Sequence, residues 1–346
     1  MSANGMGAGL YAGALRRELA LRNRHWARGR AHVESYGGEP VIVYAPEDIG
    51  SNRVCHGNFF DPAYAAILAR PEWARRLKKA HTGRRSLPRA DRPWCELDSS
   101  TSSDALLMNV FCTPGVLESL SVRSVLGVEA DANAAFGWKA RVPLNNGRTD
   151  TTEVDLRWGS LLVEAKLTES DFQTRAAAVV EGYRDFEAVF APKHLPRVAL
   201  REQRRREPAE FAEEYTQEWE PTEGLPDPHA HEVAREFQAT LVEQAWNATP
   251  AVPAYVSYQL IRNALAAYAH GCSFSVIHDE RRPDLREAGF RVMTAVKRAD
   301  LRVRLKVITW QELAALSPPE LQEFLDRKYG IVAPGKIASG LPEHAL

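Results

Sequence analysis

The chain has no long apolar run and no recognisable export signal. Its 346 residues are 45% hydrophobic and 26% charged, but no apolar stretch approaches the roughly 18–20 residues that a membrane-spanning helix needs. The N-terminus lacks an apolar segment followed by a small-residue cleavage site, which is the pattern of a secretory signal. These absences predict a cytoplasmic protein with no membrane partner.

Cysteine is scarce, and several enzyme motifs are missing. Cys55, Cys95, Cys112 and Cys272 lie far apart without a Cys-x-x-Cys pair, so neither a zinc knuckle nor a disulfide framework is indicated. The sequence also lacks the Gly-x-x-x-x-Gly-Lys phosphate loop and the Gly-x-Ser-x-Gly elbow. Nucleotide hydrolysis by the usual route and esterase activity are therefore not supported.

Charge is balanced in sum but unevenly distributed. The formal net charge is −1, which argues against a protein that coats nucleic acid, whereas a local basic surface could still bind phosphates. Glutamates concentrate in Glu207–Glu223. The basic residues form two N-terminal clusters: Arg16, Arg17, Arg22, Arg24, Arg28 and Arg30, then Arg70, Arg75, Arg76, Lys78, Lys79, Arg84, Arg85, Arg89 and Arg92. Either cluster is a DNA-phosphate surface or a solvated helix face.

Hydrophobic periodicity and turn residues predict a basic helical segment over residues 1–95, a core over 96–320 with an insertion at about 172–246, and a tail over 321–346. The predicted helices are Pro62–Arg70, Pro71–Lys79, Asp104–Phe111, Val116–Leu126, Phe172–Phe190, His231–Trp246 and Pro253–His270. The predicted strands are Trp138–Leu144, Thr152–Trp158, Leu161–Leu167, Ser273–His278 and Arg302–Ile308.

The strands Thr152–Trp158 and Leu161–Leu167 are joined by Gly159-Ser160 alone. Glycine in the first loop position favours a two-residue type II′ hairpin, and that loop fixes the register. Opposed residue numbers then sum to 319, so Asp155 lies across from Glu164.

The same register places Glu153 across from Lys166, with all four polar side chains on one face. The opposite face is predicted to be core, formed by Val154, Leu156, Trp158, Leu161 and Val163.

Two carboxylates opposed at roughly 4.5–5.5 Å repel each other unless a cation lies between them. Carboxylate oxygens, water and a phosphate oxygen are how proteins hold Mg²⁺. Lys166 could orient or deprotonate an attacking water, or stabilise the charge of the transition state. The alternative is a solvent-facing strand pair in which Lys166 simply pairs with Glu153 and Glu164.

The pattern Asp155-x8-Glu164-x-Lys166, flanked by apolar strands, resembles the PD-(D/E)XK nuclease superfamily, which has the restriction-endonuclease-like fold. The predicted order of helix, three-stranded meander, helix and further strand is similar to that fold. The segments around His56-Gly57-Asn58-Phe59, Ser102-Ser103-Asp104-Ala105 and Trp310-Gln311-Glu312-Leu313 resemble a group of bacterial restriction enzymes within the superfamily.

The resemblance implies an α/β fold, a mixed sheet flanked by helices, and magnesium-dependent hydrolysis of DNA, with Mn²⁺ as a substitute. It implies metal ligation by Asp155, Glu164 and the Ala165 carbonyl, and a glutamine, Gln259, facing the site. Many members add an acidic residue from the first core helix, and here Glu96, Asp104, Glu118 and Glu129 all compete for that role.

Three functions remain open at this stage: a restriction or defence endonuclease, a repair or junction-processing nuclease, and a non-catalytic nucleic-acid-binding protein. DNA is the expected partner in each case. Cutting both strands of a duplex would favour a homodimer.

Overall fold

The secondary structure is described for residues 3–37, 39–49, 54–81, 93–201 and 251–339 in a computed structural model. Its helices are α1 (Ala3–Trp26), α2 (Asp61–Leu68), α3 (Pro71–Ala74), α4 (Ser103–Phe111), α5 (Leu120–Leu126), α6 (Ala177–Val180), α7 (Phe186–Val189), α8 (Tyr258–Ala269), α9 (Pro283–Ala295), α10 (Ala299–Arg302), α11 (Trp310–Ala314) and α12 (Pro319–Tyr329). Short 3-10 helices occupy Arg75–Lys78, Glu96–Asp98 and Pro192–His194.

The strands form one central sheet and several small ones. They are β1 (His32–Gly37), β2 (Glu39–Tyr44), β3 (Pro46–Asp48), β4 (Val54–His56), β5 (Ala134–Lys139), β6 (Val142–Pro143), β7 (Thr149–Asp150), β8 (Glu153–Trp158), β9 (Leu161–Ala165), β10 (Thr174–Ala176), β11 (Arg197–Arg201), β12 (Ala251–Val256), β13 (Ser273–His278) and β14 (Leu305–Thr309).

The central sheet has five strands in the order β14-β13-β9-β8-β5. The pairs β5–β8 and β8–β9 are antiparallel, whereas β9–β13 and β13–β14 are parallel. A parallel neighbour requires a crossover, and α8 supplies part of the connection between β9 and β13. The predicted α/β class, a mixed sheet flanked by helices, is confirmed.

Each face of the central sheet is covered by its own hydrophobic core. Leu156, Trp158 and Val163 pack on one side with α4 and α12, while Leu162 and Val276 pack on the other side with α8 and α9. Every residue of β9 is therefore buried, as expected for a strand with a layer on both faces.

The hairpin has the register that its loop predicts. Trp158 pairs with Leu161 and Leu156 with Val163, so both pairs sum to 319. Gly159 has a φ of +57°, and a positive φ at the first loop position alone is the pattern of a type II′ turn. The backbone pairing of β8 with β9 covers Leu156 to Trp158. Asp155 is the residue next to its end.

The predicted core face of the hairpin is wrong at one residue. Leu156, Trp158, Leu161 and Val163 share one core, but Val154 packs in the other. The paired strand β5 shows the same change of face. Phe136, opposite Leu156, contacts the first core, whereas Trp138, opposite Val154, contacts the second. Between them lies Gly137 with a φ of +64°, which breaks the alternation of an extended strand.

Several predicted elements need correction. Phe172–Phe190 is not one helix but β10, α6 and α7, because Gly182 and the polar residues around it interrupt the apolar pattern. The predicted helix Pro253–His270 begins only at Tyr258, after strand β12. Of Val116–Leu126 only α5 is helical, and Ser119 caps it by accepting the backbone N–H of Val122.

The remaining boundaries shift by smaller amounts. The strand predicted at Arg302–Ile308 is Leu305–Thr309, and the one predicted at Trp138–Leu144 is divided between β5 and β6. The helix predicted at Pro71–Lys79 is α3 followed by a 3-10 helix. The predicted helix His231–Trp246 and the acidic run lie outside the described residues. The division into three segments stays a prediction.

The two ends of the described chain pack together. Leu15 and Leu19 of α1 share a core with Leu321 and Phe324 of α12, and Lys328 Nζ donates to Asn23 Oδ1 at 2.7 Å. All four cysteines are unbridged, as predicted. Among the described residues, no helix has both the length and the apolarity to cross a bilayer.

Replacing Gly137 with alanine should destabilise the fold more than replacing Gly147. Both glycines have positive φ, which costs an alanine about 1–2 kcal/mol. A Cβ at Gly147 meets nothing, whereas one at Gly137 would lie 2.3 Å from Arg76 Nη1 and 2.6 Å from Glu153 Oε2. Urea unfolding of the two variants measures the difference, and equal losses would show that Arg76 moves aside without cost.

Candidate active site

A polar cleft of about 640 Å³ opens where β8 and β9 reach the edge of the central sheet. Asp155, Glu164, Lys166 and Gln259, the four side chains predicted from the sequence, all line it. Helix α1 contributes Arg16, and the start of α4 contributes Ser103 and Asp104. The cleft is rich in carboxylates and hydroxyls, the groups that bind cations and phosphate-bearing ligands.

Asp155 lies at the end of the paired part of the hairpin. Its Oδ2 accepts the backbone N–H of Ala165 at 2.8 Å, a bond that takes the place of a further backbone ladder bond at this level. The side chain thus reaches across to the strand that carries Glu164. The two predicted metal-binding carboxylates face the same cleft, as the register requires.

Glu164 is almost completely buried and is bonded through both oxygens. Its Oε1 accepts Lys166 Nζ at 2.7 Å, and its Oε2 accepts Asn263 Nδ2 at 2.7 Å. Glu164 is 2% exposed and Lys166 5%. The solvent-facing part of the alternative is wrong, because Glu164 and Lys166 are buried and Glu153 pairs elsewhere, whereas its Lys166–Glu164 ion pair is confirmed.

Glu153 instead accepts Arg76 Nη1 at 2.9 Å. Arg76 also donates through Nη2 to Asp104 Oδ2 at 2.8 Å, so one guanidinium connects strand β8 with helix α4. Gly137 makes this possible, since a side chain there would occupy the space of the guanidinium.

Lys166 is held as a cation. Burial disfavours its charge, but the nearby carboxylates of Glu164, Glu169 and Asp155 outweigh that effect and raise the pKa of the ammonium. Its removal from water also strengthens each of these attractions. Lys166 therefore stays protonated at neutral pH.

For Asp155, in contrast, the surroundings disfavour the charged form. Burial, followed by the charges of Glu164 and Asp104, raises the pKa of the Asp155 carboxyl well above its usual range, although Lys166 and the Ala165 amide act against this rise. Like charges in a poorly solvated site cannot all ionise without cost. The surroundings of Asp155 therefore favour its neutral carboxyl over the carboxylate.

Asp104, one of the four acidic residues that compete on sequence, lines the cleft. Asp104 lies in the first turn of α4, is buried, and is bound by Arg76 and Lys79, each at 2.8 Å. Glu96 also lines the cleft. Glu129 binds Ser160 in the hairpin loop at the other end of the strands, and Glu118 is exposed outside the cleft.

Sequence reasoning missed Asn263, which binds Glu164 directly. Asn263 lies one helical turn after Gln259 on α8, so the two amides share one side of the helix. Arg262 holds Asn263 in place, because its Nη2 donates both to Asn263 Oδ1 at 2.7 Å and to the Glu153 carbonyl at 2.8 Å. The helical spacing was the signal that could have identified Asn263.

The profile of one family, described as restriction endonuclease associating with ARP, matches residues 20–330. The chain belongs to this family. No curated protein and no solved structure matches the chain. Membership in this restriction endonuclease family supports a nuclease, and with it a DNA substrate and a role in defence.

The candidate metal ligands of the cleft are Asp155 and Glu164. Among the described residues, no three acidic, histidine or cysteine side chains converge closely enough to form a metal cluster. Mg²⁺ is normally bound by one or two carboxylates with water and substrate oxygens completing the shell. Asp155 and Glu164 fit that smaller set, because both carboxylates line the cleft and a divalent cation there would favour the ionised form of Asp155.

The basic N-terminal clusters are only partly available to a ligand. Arg22 and Arg76 are buried in internal ion pairs, so these two do not form a phosphate-tracking surface. Arg16 and Lys79 line the cleft. Arg84, Arg85, Arg89 and Arg92 lie outside the described residues, and DNA binding by the clusters remains a prediction.

The substitution Asp155→Asn should stabilise the metal-free protein, and more so as pH rises. Because the folded state raises the pKa of Asp155, ionisation of this group lowers stability above the unfolded pKa of about 3.9. Urea unfolding in EDTA at pH 4 to 8.5 should show curves that converge at low pH and separate upwards by about 1.4 kcal/mol for each unit of pKa difference. A stability difference that stays constant across this pH range would contradict a raised pKa of Asp155 in the folded protein.

Proposed function

We propose that the chain is a magnesium-dependent endonuclease of the PD-(D/E)XK type that hydrolyses DNA phosphodiester bonds in restriction or defence. The observation that carries this proposal is the convergence of Asp155, Glu164 and Lys166 in one cleft. Asp104 adds a third carboxylate to the same cleft. A solely structural site would not need to crowd acids in this way.

Asp155 and Glu164, with the Ala165 carbonyl, would hold Mg²⁺ or its substitute Mn²⁺. The bound cation would supply Lewis-acid stabilisation of the phosphate and a lower pKa for a bound water. Glu164 is oriented for this role by Asn263 and Lys166, and Asp155 by the Ala165 amide. Ligands held by neighbours in this way keep their geometry when the substrate binds.

Lys166 acts as an electrostatic group rather than as a base. Its ammonium is paired with Glu164, and its raised pKa favours the protonated amine in the metal-free site. A protonated lysine can donate to the attacking water or to a nonbridging phosphate oxygen, where negative charge grows in the transition state. Of the roles that the sequence left open, this assignment keeps orientation of the attacking water and stabilisation of the transition state, and it drops deprotonation of the water.

Gln259 is the neutral donor of the site. It is half-buried on α8 and lines the cleft opposite the hairpin. Its amide can donate to water or phosphate and accept from water at once. A residue of this type positions the attacking water without changing the charge of the site.

Lys166→Ala should lose DNA cleavage by orders of magnitude while DNA binding persists, because the loss concerns stabilisation of the transition state. Asp155→Ala should also lose cleavage, but higher Mg²⁺ should restore part of it, since the defect is in metal affinity. Plasmid and oligonucleotide cleavage with Mg²⁺, Mn²⁺ or EDTA, together with binding measured by fluorescence anisotropy, separates the two defects.

Glu118→Gln is the control, since Glu118 is an exposed carboxylate outside the cleft; it should retain cleavage. Comparing duplex, flap and junction DNA separates a restriction enzyme from a repair nuclease. A wild-type protein that binds DNA but cleaves none of these substrates would leave the non-catalytic binding protein as the function.

A further inference from the structure

The loop that follows Lys166 is fixed through its backbone carbonyls. Trp310 Nε1 donates to the Lys166 carbonyl at 2.9 Å. Arg282, which is fully buried, donates to the carbonyls of Leu167, Glu169 and Ser170 at 3.3, 2.7 and 3.1 Å. Arg16 donates to the Thr168 carbonyl at 2.8 Å. Five successive carbonyls are thus held by side chains from other parts of the chain.

Glu169, within this loop, connects the loop to helix α4. Its Oε2 accepts the backbone N–H of Leu167 at 2.7 Å, and its Oε1 accepts the hydroxyl of Ser103. Leu167 is adjacent to Lys166, and Ser103 is adjacent to Asp104. One carboxylate therefore spans the two elements that carry the candidate lysine and the candidate third acid.

This connection matters because the acids reach the cleft from different elements. Asp155 and Glu164 come from β8 and β9, whereas Asp104 comes from α4. The hairpin fixes the first two by its own register, but the distance of Asp104 from Lys166 depends on contacts between α4 and the sheet edge. A shift of about 1 Å in such a group can cost about 100-fold in rate.

We propose that Glu169 is a positioning residue that sets the placement of α4, and with it Asp104, relative to Lys166. The inference rests on the proposed nuclease function for its activity readout. Both Glu169 oxygens accept bonds from neutral protein donors, which suits a bridging group. Two competing roles, proton acceptor for the attacking water and charge partner of Lys166, require the charge of Glu169 rather than its two bonds.

Glutamine at position 169 separates these roles, because its carbonyl can accept from Leu167 and its amide can donate to Ser103 Oγ. We expect Glu169→Ala to lower kcat by about 10- to 100-fold, with little change in KM, and Glu169→Gln to restore most of it. Ser103→Ala should show a similar loss. Glu118→Ala, which alters an exposed carboxylate outside the cleft, serves as the control and should leave kcat unchanged.

The double variant Ser103→Ala/Glu169→Ala tests the connection itself. If Glu169 acts through Ser103, the double variant should be no slower than Glu169→Ala, whereas independent effects would multiply. Mn²⁺ affinity, measured by calorimetry without DNA, should weaken in Glu169→Ala and recover in Glu169→Gln. Thermal unfolding of each variant identifies any that has lost its fold.

Three results would overturn the proposal, and the first two are Glu169→Gln as slow as Glu169→Ala and effects of Ser103→Ala and Glu169→Ala that multiply. Failure of the proposed nuclease function gives a different result, because the wild type would then cleave no DNA. The Mn²⁺ affinities of the wild type, Glu169→Ala and Glu169→Gln would still test the positioning role. An unchanged Mn²⁺ affinity in Glu169→Ala, in a wild type that does cleave, would also contradict it.

Discussion

The site depends on one electrostatic constraint, the confinement to a single cleft of several carboxylates that are largely removed from solvent. Asp104, Asp155 and Glu164 repel one another more strongly there than they would on the surface, because the surroundings screen charge poorly. Lys166, Arg76 and Lys79 offset part of that repulsion. The surrounding contacts serve to hold these six groups where their charges can coexist.

The fold provides this confinement by ending its most buried strand at the cleft. Strand β9 is covered on both faces and is apolar except for Glu164. Lys166 follows directly after the strand. The two hydrophobic cores thus meet the polar site at the sheet edge. The change of sides at Gly137 leaves room there for the Arg76 guanidinium, so a backbone irregularity and an ion pair belong to one arrangement.

The sequence predicted what is local. A two-residue loop determined the hairpin register, which brought Asp155, Glu164 and Lys166 together without any knowledge of the rest of the chain. Long-range partners were not predictable in the same way, because Arg76, Asp104 and Asn263 reach the site from elements distant in sequence. The helix predicted over Phe172–Phe190 failed because an apolar composition does not distinguish a long helix from short pieces joined by turns.

The carbonyl contacts of the loop after Lys166 have a consequence for synthesis on the ribosome. The donors Arg282 and Trp310 lie more than a hundred residues after the loop whose carbonyls they hold. A nascent chain that has not yet released these residues has the hairpin but not the contacts that fix the loop beside it. The contacts that fix this loop can therefore form only after Arg282 and Trp310 have themselves been synthesised and have left the ribosome.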